Sequence, residues 1–180
     1  MDEARVELAL TKIDSGLKKY LSIMNEFHNV DVSNNLEFQR MYNGFYRLRQ
    51  RTSDFYAEYY EYMEKNRDRN LTYPEVLTHF YNRFNRIEAS FSSKLLATIN
   101  PSMPVWDVYV LNNLGLKKPP YTSKNRLKET IALYEKICDW YAEFLKTDDA
   151  KFIINNFDNT YGDVKITEMK KVDLVLWQMR

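Results

Sequence analysis

The sequence predicts an all-α fold built as a single multi-helix domain over residues 1–180. Three observations carry this. The chain holds only 4 glycines and 5 prolines, too few for the many tight turns of an all-β protein. Apolar residues return at three- and four-residue steps along most of its length, the spacing of one helix face. Thr72-Tyr73-Pro74-Glu75 is a capping box with proline in the first helical turn, a helix start with a mechanism.

Taken in order, Val6, Leu10, Ile13, Leu17, Leu21 and Met24 predict a first helix over about Glu3 to Phe27. Asp31-Val32-Ser33-Asn34-Asn35 is a turn rich in cap residues. A long helix to about Asn66 follows, with Phe38, Met41, Phe45, Leu48, Phe55, Tyr59 and Tyr62 on its apolar side. The capping box at Thr72 opens a helical stretch through Val76, Phe80, Phe84, Ile87, Leu95 and Ile99, which the prolines Pro101 and Pro104 end. A short helix then runs to Gly115, which suits a left-handed C-terminal cap. Lys117 to Asn125, with Pro119-Pro120, reads as a connector. Leu127, Ile131, Tyr134, Ile137, Tyr141 and Leu145 mark the next helix. Asp148 caps another, and Thr167 starts the last, with Met169, Val172, Leu176 and Trp177.

Composition bounds the function. With 44% apolar residues and 180 positions, the chain can bury a real core. Its 14 Tyr, 10 Phe and 3 Trp favour half-buried rings with wet hydroxyls. A net charge of +1 gives no global attraction for nucleic acid and leaves only a local basic face. Cys138 is alone, which excludes an internal disulfide and a cysteine metal cluster. His28 and His79 lie in separate segments without ligand spacing, so no metal and no cofactor is assigned. Met1-Asp2-Glu3 is no signal peptide and no apolar run reaches membrane length. The expectation is a cytoplasmic protein without a membrane partner.

The carboxylate whose position stands out is Asp107, in Pro104-Val105-Trp106-Asp107-Val108-Tyr109-Val110. An aspartate at a helix start faces free N–H groups and the positive end of the dipole, which favour its ionised form. The bland reading is a helix N-cap worth about 1 kcal/mol. The sharp one is a carboxylate opening into a cleft, where it stabilises a developing cation, as cleavage of an N-glycosidic bond requires.

That segment, with Asn113-Leu114-Gly115-Leu116 after it and the apolar helix from about Ala89 to Ile99 before it, resembles the end of the helix-hairpin-helix motif of DNA glycosylases. The resemblance covers about residues 84–116. It implies a DNA-glycosylase-like fold, double-stranded DNA as partner, and a hydrolase that removes a base with Asp107 as the catalytic residue. The hairpin glycines that hold a DNA phosphate in that family are missing from Arg83-Phe84-Asn85-Arg86-Ile87. Glu88 and Ala89 stand where lyase members place a lysine. Lys94 comes five or six residues later, on a different face of a regular helix. The resemblance therefore implies monofunctional base release, without a Schiff base.

The other candidates each have two readings. Lys94, with Ser90 and Ser93 beside it, suits either close helix packing or contact with phosphate. Arg83 and Arg86 contact phosphate or form a solvated face paired with Glu88. Lys117 and Lys118 extend the same basic patch. Trp106 floors a pocket or fills the core. The alternative for the whole chain is a non-catalytic helical interaction protein that keeps the fold alone and binds a protein partner.

Overall fold

The computed structural model describes residues 2–162 and 164–179, with residue 113 described by its backbone. Among these residues every regular element is a helix. They are α1 (Glu3–Leu10), α2 (Asp14–Asn29), α3 (Leu36–Tyr46), α4 (Ser53–Lys65), α5 (Tyr73–Phe84), α6 (Ala89–Ile99), α7 (Val108–Asn113), α8 (Arg126–Phe144), α9 (Asp148–Tyr161) and α10 (Glu168–Gln178). Among the described residues no helix is long and apolar enough to cross a membrane.

The helix starts follow their caps. Thr52, Thr72, Thr147 and Thr167 each accept a backbone N–H of the first turn, and Thr72 and Glu75 close the reciprocal capping box. Three long stretches divide where periodicity alone predicts continuity. The first helix breaks at residues 11–13, where i→i+3 bonds to Ala9 and Leu10 tighten the chain. The second breaks at Arg47, in the left-handed region with φ 54°, and Gln50 repeats this at φ 60°. The third breaks at Asn85, φ 51°, after α5. Asn tolerates this conformation; arginine and glutamine adopt it only when surrounding contacts hold them there.

α6 is the axis of the fold. Residues 92–98 on it are all buried, polar and charged ones included. α5 and α6 pack together, α8 lies against α5, and α10 lies against α1, α7 and α9. Tyrosines fill much of the space between, and several of their hydroxyls find partners. Tyr42 and Tyr59 share a hydrogen bond of 3.1 Å. Tyr59 also donates to the carbonyl of Phe91 at 2.9 Å, and Tyr73 to that of Ala89 at 3.1 Å. Tyr73 and Tyr134 stack with centroids 3.7 Å apart.

Glu88, ahead of α6, is 5% exposed. Arg51 holds both its oxygens, each at 2.8 Å, and Arg86 approaches at 3.3 Å. A bidentate pair this buried fastens the α3–α4 loop to the α5–α6 turn. Removing one partner leaves the other charge without compensation. Glu88→Ala is expected to cost about 3 kcal/mol in denaturant unfolding, whereas a loss under about 1 kcal/mol would mean that water already screens the pair.

Candidate functional site

The segment between α6 and α7 is pinned at three points. Tyr134 donates to the carbonyl of Pro104 at 2.7 Å, Thr167 to that of Pro101 at 2.8 Å, and the Trp106 N–H donates to Ser93 Oγ at 2.8 Å. These bonds turn an otherwise irregular stretch into a fixed support for Asp107. Asp107 is the N-cap of α7, its Oδ1 accepting the Tyr109 N–H at 2.9 Å. At the other end of α7, Gly115 takes φ 64°, and the Leu116 N–H reaches back to the carbonyl of Leu111 at 2.9 Å. The cap leaves Asp107 partly exposed, and it lines a cavity.

Lys94 lines the same cavity. Its regular-helix position relative to residues 88 and 89 does not keep it away from Asp107, because the pinned turn brings Asp107 back alongside α6. Lys94 is 8% exposed, and its Nζ donates to the carbonyl of Tyr46 at 2.7 Å. That carbonyl belongs to the last turn of α3, where carbonyls lack helical partners and the dipole favours a cation. Burial nevertheless pushes the amine down; Asp107 opposes this and Arg47 adds to it, leaving Lys94 at about 8. Near neutral pH an appreciable fraction is therefore the free, nucleophilic amine.

The cavity has about 80 Å³ open to the centres of water-sized molecules. At roughly 10–15 Å³ for each water, it has room for several, and so for a planar ring that displaces them. Phe45 and Trp177 supply aromatic wall, and the exposed Arg47 marks the solvent side. The Arg47 guanidinium lies 5.5 Å from the Trp177 ring centroid. The left-handed turn at Arg47 thus sits at the edge of the site, where strained backbone is commonly found.

α10 closes the buried end with Lys170 and Asp173. Lys170 Nζ donates to Asp173 Oδ2 at 2.8 Å and lies 4.7 Å from the Tyr20 ring centroid. Burial alone would lower the Lys170 ammonium, but Asp173 more than offsets it and holds it above the usual lysine range. Tyr141 donates to the other Asp173 oxygen at 3.4 Å. Tyr46, 6% exposed, also lines the cavity, and its hydroxyl is itself buried beside Thr98. Burial raises that hydroxyl above its ordinary value, so it stays a donor.

The remaining sequence candidates are placed differently. Ser93 is fully buried; besides holding Trp106, its hydroxyl donates to the Ser90 carbonyl at 2.9 Å. That occupies it in packing and turns it away from any external phosphate. Trp106 is 3% exposed in the core, and the cavity is bordered by its neighbours Val105 and Asp107 instead. Arg83 pairs with Glu58 at 3.4 Å and Arg86 with Glu88 at 3.3 Å, so a phosphate there would compete with a carboxylate. Lys117 and Lys118 are exposed on the connector after α7. Cys138 is half-buried and burial pushes its thiol up to about 11, which keeps it protonated and inert.

The groups that periodicity missed are Tyr46, Arg47, Lys170 and Asp173. One signal was present: Lys170 and Asp173 interrupt the apolar run Val172, Leu174, Val175, Leu176 at i,i+3 spacing. A charge pair inside such a run is either buried and matched or functional. No family model, curated protein or solved structure matches the chain.

Proposed function

We propose that this cavity receives a nucleotide turned out of DNA and releases its base, with Asp107 stabilising the cationic sugar and Lys94 attacking it. The observation that carries the reading is one cavity presenting a carboxylate beside a buried amine held at about 8. The resemblance of residues 84–116 to helix-hairpin-helix glycosylases supports the same chemistry. The amine changes the expected course from simple hydrolysis. As the glycosidic C–N bond lengthens, positive charge on the sugar is stabilised by the Asp107 carboxylate. The Lys94 lone pair forms a bond to C1′, and the base leaves with the glycosidic electron pair and takes a proton. The attached amine then loses its protons as the ring C–O bond opens onto a protonated O4′, giving an imine between Nζ and C1′. Water returns the free amine and an aldehyde.

The test uses labelled duplexes carrying a single uracil, oxidised guanine or alkylated adenine. Salt-sensitive binding is expected at low ionic strength, since exposed cations such as Arg47, Lys117 and Lys118, rather than net charge, would meet the phosphates. Base release is expected from at least one duplex. Binding to none of them at low salt would overturn the reading. It would favour the second one, a helical interaction protein without catalysis, which the pairing of Arg83 and Arg86 with carboxylates supports.

A further inference from the structure

We infer that the connector after α7 and the first turn of α8, residues 117–128, bind single-stranded nucleic acid, with the Tyr121 ring stacked on an unpaired base and the cations around it on phosphates. This surface does not depend on the chemistry of the cavity. The argument begins with charge. Lys117, Lys118, Lys124, Arg126 and Lys128 fall within twelve residues, and from Val108 to Lys128 there is no Asp or Glu. The whole chain carries only +1, so the remainder is net acidic and the positive charge is concentrated here. The four lysines are exposed and Arg126 is half-buried. Among the described residues none of the five forms an ion pair. Glu129, the next carboxylate along the chain, is already engaged by the Ser123 hydroxyl, which donates to it at 2.8 Å. A polyanion laid along this segment therefore displaces no internal carboxylate, unlike one laid on Arg83 or Arg86.

The aromatic ring decides which polyanion fits. Tyr121 is 86% exposed, yet its surroundings hold it. Pro119 and Pro120 fix the backbone ahead of it. The Ser123 N–H donates to the Pro120 carbonyl at 3.1 Å, so Tyr121 and Thr122 form the tip of a turn. The Arg126 guanidinium lies over the ring, 4.1 Å from its centroid, and covers one face. The high exposure leaves the opposite face to water. Such a face is a stacking platform, and holding it in place beforehand lowers the entropy lost on binding. An acidic peptide offers carboxylates but no planar group for it. In a duplex the bases are already stacked on their neighbours. A single strand supplies both parts at once, an unpaired base for the ring and regularly spaced phosphates for the lysines.

The probe is a labelled oligothymidylate, titrated as a single strand and again after annealing to oligoadenylate. The wild type is expected to bind the single strand more tightly than the duplex at low salt. Tyr121→Ala is expected to weaken single-strand binding about tenfold, with an unchanged melting temperature because the ring is outside the core. Tyr121→Phe is expected to retain the affinity. Replacing Lys118 and Lys124 with glutamine is expected to flatten the dependence of log affinity on log salt by about 0.7 per lysine. Absence of single-strand binding at low salt, or affinity that Tyr121→Ala leaves unchanged, overturns the assignment. So does binding to phosphatidylserine vesicles without binding to the strand, which would make the segment a membrane contact. The oligothymidylate offers no altered base, so these failures leave the cavity reading to stand or fall on its own duplexes.

Discussion

Asp107→Asn is expected to abolish base release, with a loss of about 10²–10³-fold or more, while the protein stays folded. Asn caps a helix about as well as Asp, so the bond from the Tyr109 N–H survives. What disappears is the negative charge that the proposed reaction sets against the sugar. The substitution also removes a charge that raises the Lys94 amine, so more of it is neutral in the variant. If nucleophilicity alone limited the reaction, the variant would be faster at neutral pH. A large loss therefore identifies charge stabilisation by the carboxylate as the dominant effect. Unchanged release, measured as free base under single-turnover conditions alongside a melting curve, would reduce Asp107 to a cap.

Lys94→Met is expected to stabilise the protein at pH 7 while eliminating covalent chemistry. The difference between the ordinary 10.5 and about 8 in the fold corresponds to about 3 kcal/mol of destabilisation by the protonated form. The hydrogen bond to the Tyr46 carbonyl is lost in the variant, so the net gain is about 1–3 kcal/mol. The sign follows from proton counts. Below pH 8 both folded and unfolded chains are protonated at this position and the whole cost is present. Between 8 and 10.5 the unfolded chain binds more protons, so wild-type stability from this group rises with pH. The advantage of Lys94→Met should thus be greatest below pH 8 and shrink as pH climbs toward 10.5. Urea unfolding at pH 7 and pH 9 reads this directly. A variant less stable than the wild type at pH 7 would mean that the amine serves as a structural donor.

The parts of this site legible in the sequence were those fixed locally. Pro104 ahead of Asp107 and the spacing Val108, Leu111, Leu114 behind it place the cap, and α7 starts where that pattern puts it. The capping box at Thr72 and the start at Thr167 follow from side chains within one turn of the bonds they make. The helix breaks at residues 11–13, 47–52 and 85–88 were not legible from apolar spacing, since the periodic pattern runs across all three. At 85–88 a buried ion pair from Arg51, 37 residues away in sequence, secures the turn. The cavity draws on Tyr46, Lys94, Asp107, Lys170 and Asp173, which only the packing of α10 and the pinned turn after α6 bring together. Lys94 shows the reason most plainly. Its helix face is readable, but the direction from which Asp107 approaches is set by Tyr134, Thr167 and Ser93, residues from three other positions in the chain.

The central claim is that Asp107 and Lys94 form one reactive centre. Borohydride reduction of the protein mixed with a duplex from which it releases a base tests this most directly, with the adduct digested and mapped by mass spectrometry. The expected result is a stable cross-link on Lys94, present in the wild type and missing from Lys94→Met. Base release without any cross-link, or a cross-link on another amine that persists in Lys94→Met, would contradict the account.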